Sequence, residues 1–338
     1  MRRLRSLGWL LVLAALVLPA CSPTSPSTLE TKGPAAARIA GTWWFMFWVS
    51  LVVVLFVGAL LLLGMFRRRR SERGADDPHG VTSPRHWERR LLLFGGVVGP
   101  LIVLAVLWVV TLRDVNFLAA PLRSNMLTVD VIGRLWWWEV RYPEQGIVTA
   151  NEIHIPVGQP VRIRLTSNGV IHSFWVPELA GKTDMIAGQT NNMWLEASQP
   201  GVYRGQCAEY CGRQHTHMIF FVIAEPQATF ERWVQREASS VPAPAAANLT
   251  RGQRVFETNA CAGCHTIRGT TAAGRVGPDL THFGSRRTIG AGTVPNTRSL
   301  LAAWVVNAQS IKPGNLMPPV PLPPDDVQAL VDYLESLK

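Results

Sequence analysis

Apolar and polar residues follow three textures along the chain. Unbroken apolar runs come first, short alternating stretches occupy the middle, and helically spaced apolar residues close it. The apolar stretch Leu7 to Leu18 follows Arg2, Arg3 and Arg5 and precedes small residues and Cys21. It is too short to cross about 30 Å of hydrocarbon, so 1–21 reads as a signal peptide. Two uncharged runs, Trp43 to Phe66 and Leu91 to Leu112, are each long enough for a membrane-crossing helix of about 20 residues. Trp43, Trp44 and Trp48 crowd one end of the first and Trp108 lies near the end of the second, as interface anchors do. Together they predict a transmembrane hairpin over 43–112. Gly95, Gly96, Gly99 and Pro100 interrupt its second helix. Such residues admit a close neighbouring helix, and are also simply tolerated in membranes.

From Met126 to Glu225 the pattern has the period of strands. Val161-Arg162-Ile163-Arg164-Leu165 alternates apolar and basic, as a half-buried strand does. Further strands are predicted over Met126 to Ile132, Gly201 to Gln206 and Met218 to Ala224, between turns at Pro156, Gly158, Pro160, Pro177 and Pro200-Gly201. Many short strands at this spacing predict an all-β Greek-key sandwich over 113–237. The run Ala238 to Ala247 is rich in Ala, Ser and Pro and predicts a semi-rigid linker over 238–248. A small all-α domain is expected over 249–338, with helices at Arg251 to Asn259 and Asp325 to Leu337. Asp325 and Asp326 in the last helix's first turn and Lys338 at its end match the helix dipole.

Charge and composition sharpen this multidomain picture. The 338 residues carry a net +10 and are 48% hydrophobic, high for a protein without a membrane segment. Much of the surplus charge flanks the apolar runs. The loop 67–90 sets eight arginines against Glu72, Asp76, Asp77 and Glu88, which places it in the cytoplasm and both hairpin ends outside. Nucleic acid is not needed to explain the charge. The five cysteines are Cys21, Cys207, Cys211, Cys261 and Cys264, each with a task of its own and no spare pair for a structural disulfide.

Two thiols, two imidazoles and a thioether fall between Cys207 and Met218, and His172 lies upstream. Soft sulfur ligands select copper, zinc or iron–sulfur clusters, and a Cys, His and weak Met set builds copper electron-transfer sites. A single copper of this kind needs one Cys; two can bridge two coppers. A Cys2His2 zinc site is the plainer alternative, though it leaves Met218 unused. A Cys207–Cys211 disulfide would leave the histidines unexplained. The pattern Cys-x-Glu-x-Cys-Gly-x-x-His-x-x-Met, with an upstream His-Ser-Phe, resembles the dinuclear copper centre (CuA) of cytochrome c oxidase subunit II. The resemblance implies a cupredoxin-like sandwich with His172, Cys207, Glu209, Cys211, His215 and Met218 as copper ligands, Glu209 through its backbone carbonyl. It also implies that the Glu209 side chain reaches a magnesium ion shared with subunit I. Trp136–Trp138 could be core, yet Trp136 matches the family's Trp that receives electrons from a docked cytochrome. Leu135 and Gly169 depart from the family's usual Gln and Asp. Glu88 stands where the family loads protons, but within an incomplete motif, and reads equally as a solvated partner of the neighbouring arginines. Leu18-Pro19-Ala20-Cys21 resembles a bacterial lipoprotein box; if it is cut there, Cys21 becomes a lipidated N-terminus and 22–42 an exported tether.

Cys261-Ala262-Gly263-Cys264-His265 is the c-type haem attachment pattern, in which two thiols bond the haem vinyl groups and the adjacent His ligates iron. Gly277-Pro278-Asp279-Leu280 and Asn315-Leu316-Met317-Pro318-Pro319 resemble the segments of class I cytochromes c that hold the His ring and supply the distal Met. His265 and Met317 are therefore the expected axial ligands, with His282 the nearest rival. The whole resembles subunit II of a caa-type oxidase, with the donor cytochrome fused to the copper domain. That implies electrons passing from haem c to CuA and on to haem a of subunit I, where O2 is reduced and protons are pumped. Expected partners are subunits I and III, an upstream cytochrome c or bc complex, and membrane lipid. The expected location is the bacterial cytoplasmic membrane, with both redox domains on its periplasmic face. Of the eight histidines no further cluster remains for an oxygen site on this chain. The electron-input subunit of a copper-containing nitric oxide reductase and a stand-alone membrane electron carrier or redox sensor remain alternatives.

Overall fold

The computed structural model describes residues 26–71, 86–119 and 125–338. The expected signal peptide, Cys21 and most of the arginine-rich loop lie outside these residues. Two apolar helical stretches long enough to cross a membrane come first. Helix α1 spans Pro34–Ser71. Helix α2 (His86–Leu93) runs through a π-helical turn, Phe94–Val98, into helix α3 (Gly99–Leu118). Glu88 lies on α2, with its side chain outside the described part. Gly95 and Gly96 sit in the π turn, a local widening of the helix. A Cβ at Gly96 would meet nothing within 4 Å among the described residues.

The helices begin and end beyond the expected limits, and at the Pro34 and Leu118 ends the sandwich anchors them. Helix α1 starts well before Trp43, and the expected tether 22–42 ends by Lys32. Lys32 pairs with strand-flanking backbone, its N–H donating to Glu178 O at 2.7 Å while its carbonyl accepts from Ser198 N–H at 2.7 Å. Ala35 and Ala36 are then buried against the sandwich. At the far end of the hairpin Trp194 Nε1 donates to Leu118 O at 3.0 Å. Arg38 and Thr42 of α1 both bond Asp114 of α3, joining the two helices where they leave the apolar span.

The central domain is two facing five-stranded sheets. In the first, β1 (Thr128–Arg134) pairs with β2 (Trp137–Tyr142) and β2 with β3 (Ile147–Ala150), antiparallel. On the other flank β1 lies parallel to β5 (Val161–Ser167), which pairs with β8 (Asn191–Leu195). The second sheet runs β4 (Glu152–Pro156), β10 (Ile219–Glu225), β9 (Gly201–Cys207), β6 (His172–Trp175) and β7 (Thr183–Met185). Parallel pairs cannot be joined by hairpins, so β1–β5 and β4–β10 mark chain crossings between the sheets. The alternation read from the sequence sets which face is buried: Val161, Ile163 and Leu165 point inward, while Arg164 turns outward to pair Asp130 across the β1–β5 register at 2.5 Å.

Trp138, Phe174 and Phe220 form the centre of the core, with ring centroids 4.8 Å apart for Trp138–Phe220 and 4.5 Å for Phe174–Phe220. Gly205 stands opposite Phe220 in the register, where a Cβ would lie 2.2 Å from the ring. The aromatic run divides by strand geometry. Trp138 is core, Trp137 lies under the Arg134 guanidinium at 5.4 Å, and Trp136 leans on the loop after β9. Helix α4 (Gln227–Ala238) closes the domain, burying Phe230 and Trp233.

The C-terminal domain is helical. Helix α5 (Ala247–Thr258) crosses α8 (Pro324–Ser336) at Gly252, where a Cβ would lie 2.1 Å from Ala329 O. Between them come the short helix α6 (Cys261–Cys264), a two-stranded ribbon of β11 (Thr288–Ile289) with β12 (Val294–Pro295), and helix α7 (Arg298–Ile311). Phe256, Leu301, Leu330, Val331 and Tyr333 fill its core. Asp325 and Asp326 open α8 as expected. The expected linker is shorter than 238–248, with Val241 already bonded to Arg268 O and buried among haem-domain residues.

Candidate metal centre and haem site

Strand β6 begins at His172 and β9 ends at Cys207, at the same end of one sheet, with Phe174 opposite Cys207. The loop after β9 folds back on itself, Ala208 N–H donating to Ser173 O and Cys207 N–H to Met218 O, each at 3.0 Å. Gly212, at φ +112°, makes the reversal that carries Cys211 under the loop. The donor atoms converge as a result. Cys207 Sγ lies 3.7 Å from His172 Nδ1 and 3.7 Å from Cys211 Sγ. Cys211 Sγ lies 3.7 Å from His215 Nδ1 and 3.8 Å from Met218 Sδ, and Glu209 O is 3.1 Å from Cys207 Sγ. Both thiols are free and buried, as are His172 and Met218. All six sequence-expected ligand residues are thus gathered around two sulfurs. His217 turns away, its Nδ1 2.8 Å from Gln214 Oε1. The Glu209 carboxylate is half-exposed beside Lys182.

The two thiols govern each other. Hydrogen bonding with Cys211 pulls Cys207 well below the ordinary thiol range, while bonding to Cys207 and burial push Cys211 far above it. The two thiols thus share their protonation, and a soft cation suits the donor set. Behind the site a Cβ on Gly133 would stand 2.6 Å from the His172 ring, so this position presses the imidazole into place. Trp136 Nε1 donates to Cys211 O at 2.8 Å, and its ring packs 3.1 Å from where Gly212 would carry a Cβ.

In the helical domain Cys261 and Cys264 are free and half-buried. His265 follows directly, and its Nδ1 bonds Pro278 O at 2.8 Å, which leaves Nε2 for a metal. Burial lowers its pKa and so favours the neutral, ligating imidazole. Gly277 lies under the ring, where a Cβ would come within 2.5 Å. Met317 is held by Asn315 Oδ1 on its N–H at 2.7 Å and by Gln309 Nε2 on its carbonyl at 2.8 Å. His282 instead bonds Ser239 O through Nε2 at 3.1 Å, on the linker. These residues fit a covalently bound haem.

Sequence reading missed Lys312. Its Nζ donates to Trp136 O at 2.9 Å, His217 O at 2.7 Å and Gly290 O at 2.7 Å, bridging the two domains. Burial pushes its ammonium down to about 7, against the opposing pull of Cys211. Its three acceptors are backbone carbonyls from separate segments, which no local sequence pattern marks.

A cupredoxin-like sandwich joined to a helical cytochrome c domain and rooted on two apolar helices is the build of a membrane-anchored redox subunit. The family model described as cytochrome c oxidase subunit II, periplasmic domain, matches residues 145–225, and that described as cytochrome c matches 249–338. Cytochrome c oxidase subunit 2 of Alkalihalophilus pseudofirmus is 36% identical over 92% of this chain and 91% of its own. That of Bacillus subtilis is 30% identical over 97% and 96%. The periplasmic domain of cytochrome oxidase subunit II of Bradyrhizobium japonicum, a crystal structure, is 28% identical over 35% of this chain and 95% of its own, with a TM-score of 0.33. The chain belongs to the cytochrome c oxidase subunit II family, with a cytochrome c domain of its own, and is a subunit of an oxidoreductase complex.

Proposed function

We propose that this chain carries electrons into a respiratory oxidase, from haem c on 249–338 to a dinuclear copper centre on 113–237 and on to haem a of subunit I, where O2 is reduced and protons are pumped. The observation that carries the reading is the double-sulfur cluster, in which each thiol has its own imidazole at 3.7 Å and Met218 and Glu209 O complete the shell. A single tetrahedral zinc would not need the last two. Cys261 and Cys264 would tether the haem, with His265 and Met317 on its iron, a pairing that raises potential. Each side chain's part is to hold its centre rigidly, since electron transfer favours sites that move little. Trp136, whose ring bonds Cys211 O and whose carbonyl accepts from Lys312, would be the electron acceptor. The half-exposed Glu209 carboxylate, beside Lys182, would reach a magnesium ion at the subunit I boundary.

The two apolar helices would cross the bacterial cytoplasmic membrane, with the arginine loop inside, Glu88 near its proton-taking face and Cys21 lipidated outside. Subunit III, lipid and an upstream cytochrome c or bc complex complete the assembly. The test is the paramagnetic resonance spectrum of the oxidised, detergent-purified complex together with its metal content. Two coppers per haem c iron beyond the copper of the haem-copper site on subunit I, and a hyperfine pattern shared over two copper nuclei, are expected. Zinc in their place, or a one-copper pattern, overturns the reading.

A further inference from the structure

A lysine ammonium is costly to bury unless every donor is met. Lys312 is 2% exposed, and its three protons have three carbonyl acceptors. Two of these, Trp136 O and His217 O, belong to the copper domain; Gly290 O belongs to the haem domain. None is a bystander. The Trp136 ring bonds Cys211 O, and His217 precedes Met218, whose carbonyl accepts from Cys207 N–H. Lys312 itself stands at the root of the loop that carries Met317.

The neighbours reinforce the same junction. Gln214 Nε2 donates to Pro313 O, and Ile219 N–H donates to Ala291 O at 3.0 Å. Gly314, at φ +81°, accepts the Arg213 side chain where a Cβ would lie 2.6 Å from it. Gly292 does the same for Ile219, also at 2.6 Å. Every one of these contacts joins the Met317 side of the haem domain to the Cys211–Ile219 segment of the copper domain.

We propose that Lys312 is a positioning residue: its buried ammonium locks the haem domain onto the copper-ligand loop, so that the electron crosses from a fixed, docked haem rather than one swinging on its linker. This rests on the electron route proposed above. Without the ammonium, three carbonyls converge on nothing, and they either separate or admit water, widening the gap.

The experiment uses the complete detergent-purified complex and its Lys312→Met variant. Haem and copper content and both spectra are recorded first, then the rate of copper-site reduction after a light-driven reductant delivers one electron to the haem. The expected result is a loss of rate on the order of tenfold or more, with both spectra and contents unchanged, since small misplacements of reacting centres carry large rate penalties. An unchanged rate with both centres intact overturns the proposal. A second measurement needs no variant. When the parent complex is acylated by an amine-reactive ester and mapped by mass spectrometry, Lys312 is expected to stay protected while exposed Lys338 reacts. Lys312 reacting as fast as Lys338 overturns the proposal, and this readout decides if Lys312→Met loses either cofactor. Absence of copper from the parent sinks the electron route instead, and leaves the protection result to judge the docking alone.

Discussion

Two glycines hold the imidazoles that matter. Gly133 lies 2.6 Å, counted from an added Cβ, from the His172 ring, and Gly277 lies 2.5 Å from that of His265. Gly133→Ala is expected to push His172 off its place beside Cys207, lowering copper content and costing about 1–3 kcal/mol of stability, as overpacking does. Metal analysis and thermal unfolding of the purified complex check it. Gly277→Ala should leave the haem covalently attached but disturb its iron, read as a high-spin change in the oxidised visible spectrum. The candidate ligands were legible because thiol, imidazole and thioether chemistry is confined to few residue types, and Cys-x-x-Cys-His has one well-known use. Neither glycine was legible as a support, because each supports a ring from a different segment. Lys312 was equally hidden, since its three acceptors are backbone atoms that any sequence supplies.

At the scale of elements the strands were readable wherever one face meets the core. Val161 to Leu165 shows its alternation plainly, and β5 follows it. Helix α4 was not foreseen, although Phe230 and Trp233 are spaced for one buried face. Its role comes from what it covers: Trp233 stacks on His154 at 4.3 Å and meets Tyr142 at 5.1 Å. The other side of this cluster is a hydrogen bond between His154 Nδ1 and Glu225 Oε2 at 3.1 Å. That hydrogen bond holds the Glu225 carboxyl below the ordinary range. A folded-state value below the unfolded one means stabilisation that is complete above the ordinary Glu range, near pH 4.3 or about that, and lost as pH falls through the folded value. Glu225→Gln should therefore lower the unfolding temperature at neutral pH, by at most about 1 kcal/mol of stability because the pair is partly exposed. The difference from the parent should close in acid; calorimetry across pH measures it. At Gly252 the α5–α8 crossing leaves no room for a side chain, and Gly252→Val should unfold the haem domain first, costing about 3 kcal/mol or more.

Across the whole molecule the two redox domains meet through buried contacts, charged ones among them: the Glu152 carboxylate lies beside Arg286 and Arg287. Lys312, Gln214 and Ile219 all contact backbone across the junction, and Arg287 N–H donates to Glu152 Oε1 at 2.7 Å. Buried contacts are screened little by salt. Electron transfer between the centres is therefore expected to stay constant as ionic strength rises from about 0.01 to about 1 M, a range over which the Debye length shrinks from about 30 Å to about 3 Å. A freely docking cytochrome would slow markedly over that range. Flash-initiated kinetics at several salt concentrations distinguish the two, and a steep decline refutes the fixed junction. The membrane helices share the same economy of anchoring, with Lys32, Ala35 and Trp194 tying both of them to the sandwich.

By itself the sequence determined the order of parts, the two apolar spans, the strand period and the ligand types, since each is a local property of composition, spacing or side-chain chemistry. Tertiary structure alone decided that Cys207, Cys211, His172, His215 and Met218 close on one another, because sheet pairing brings β6 and β9 together from distant segments. It alone turned a linker-borne cytochrome into a docked one. A lysine that looks solvated in sequence becomes a buried bridge only when three carbonyls from three separate segments arrive around it.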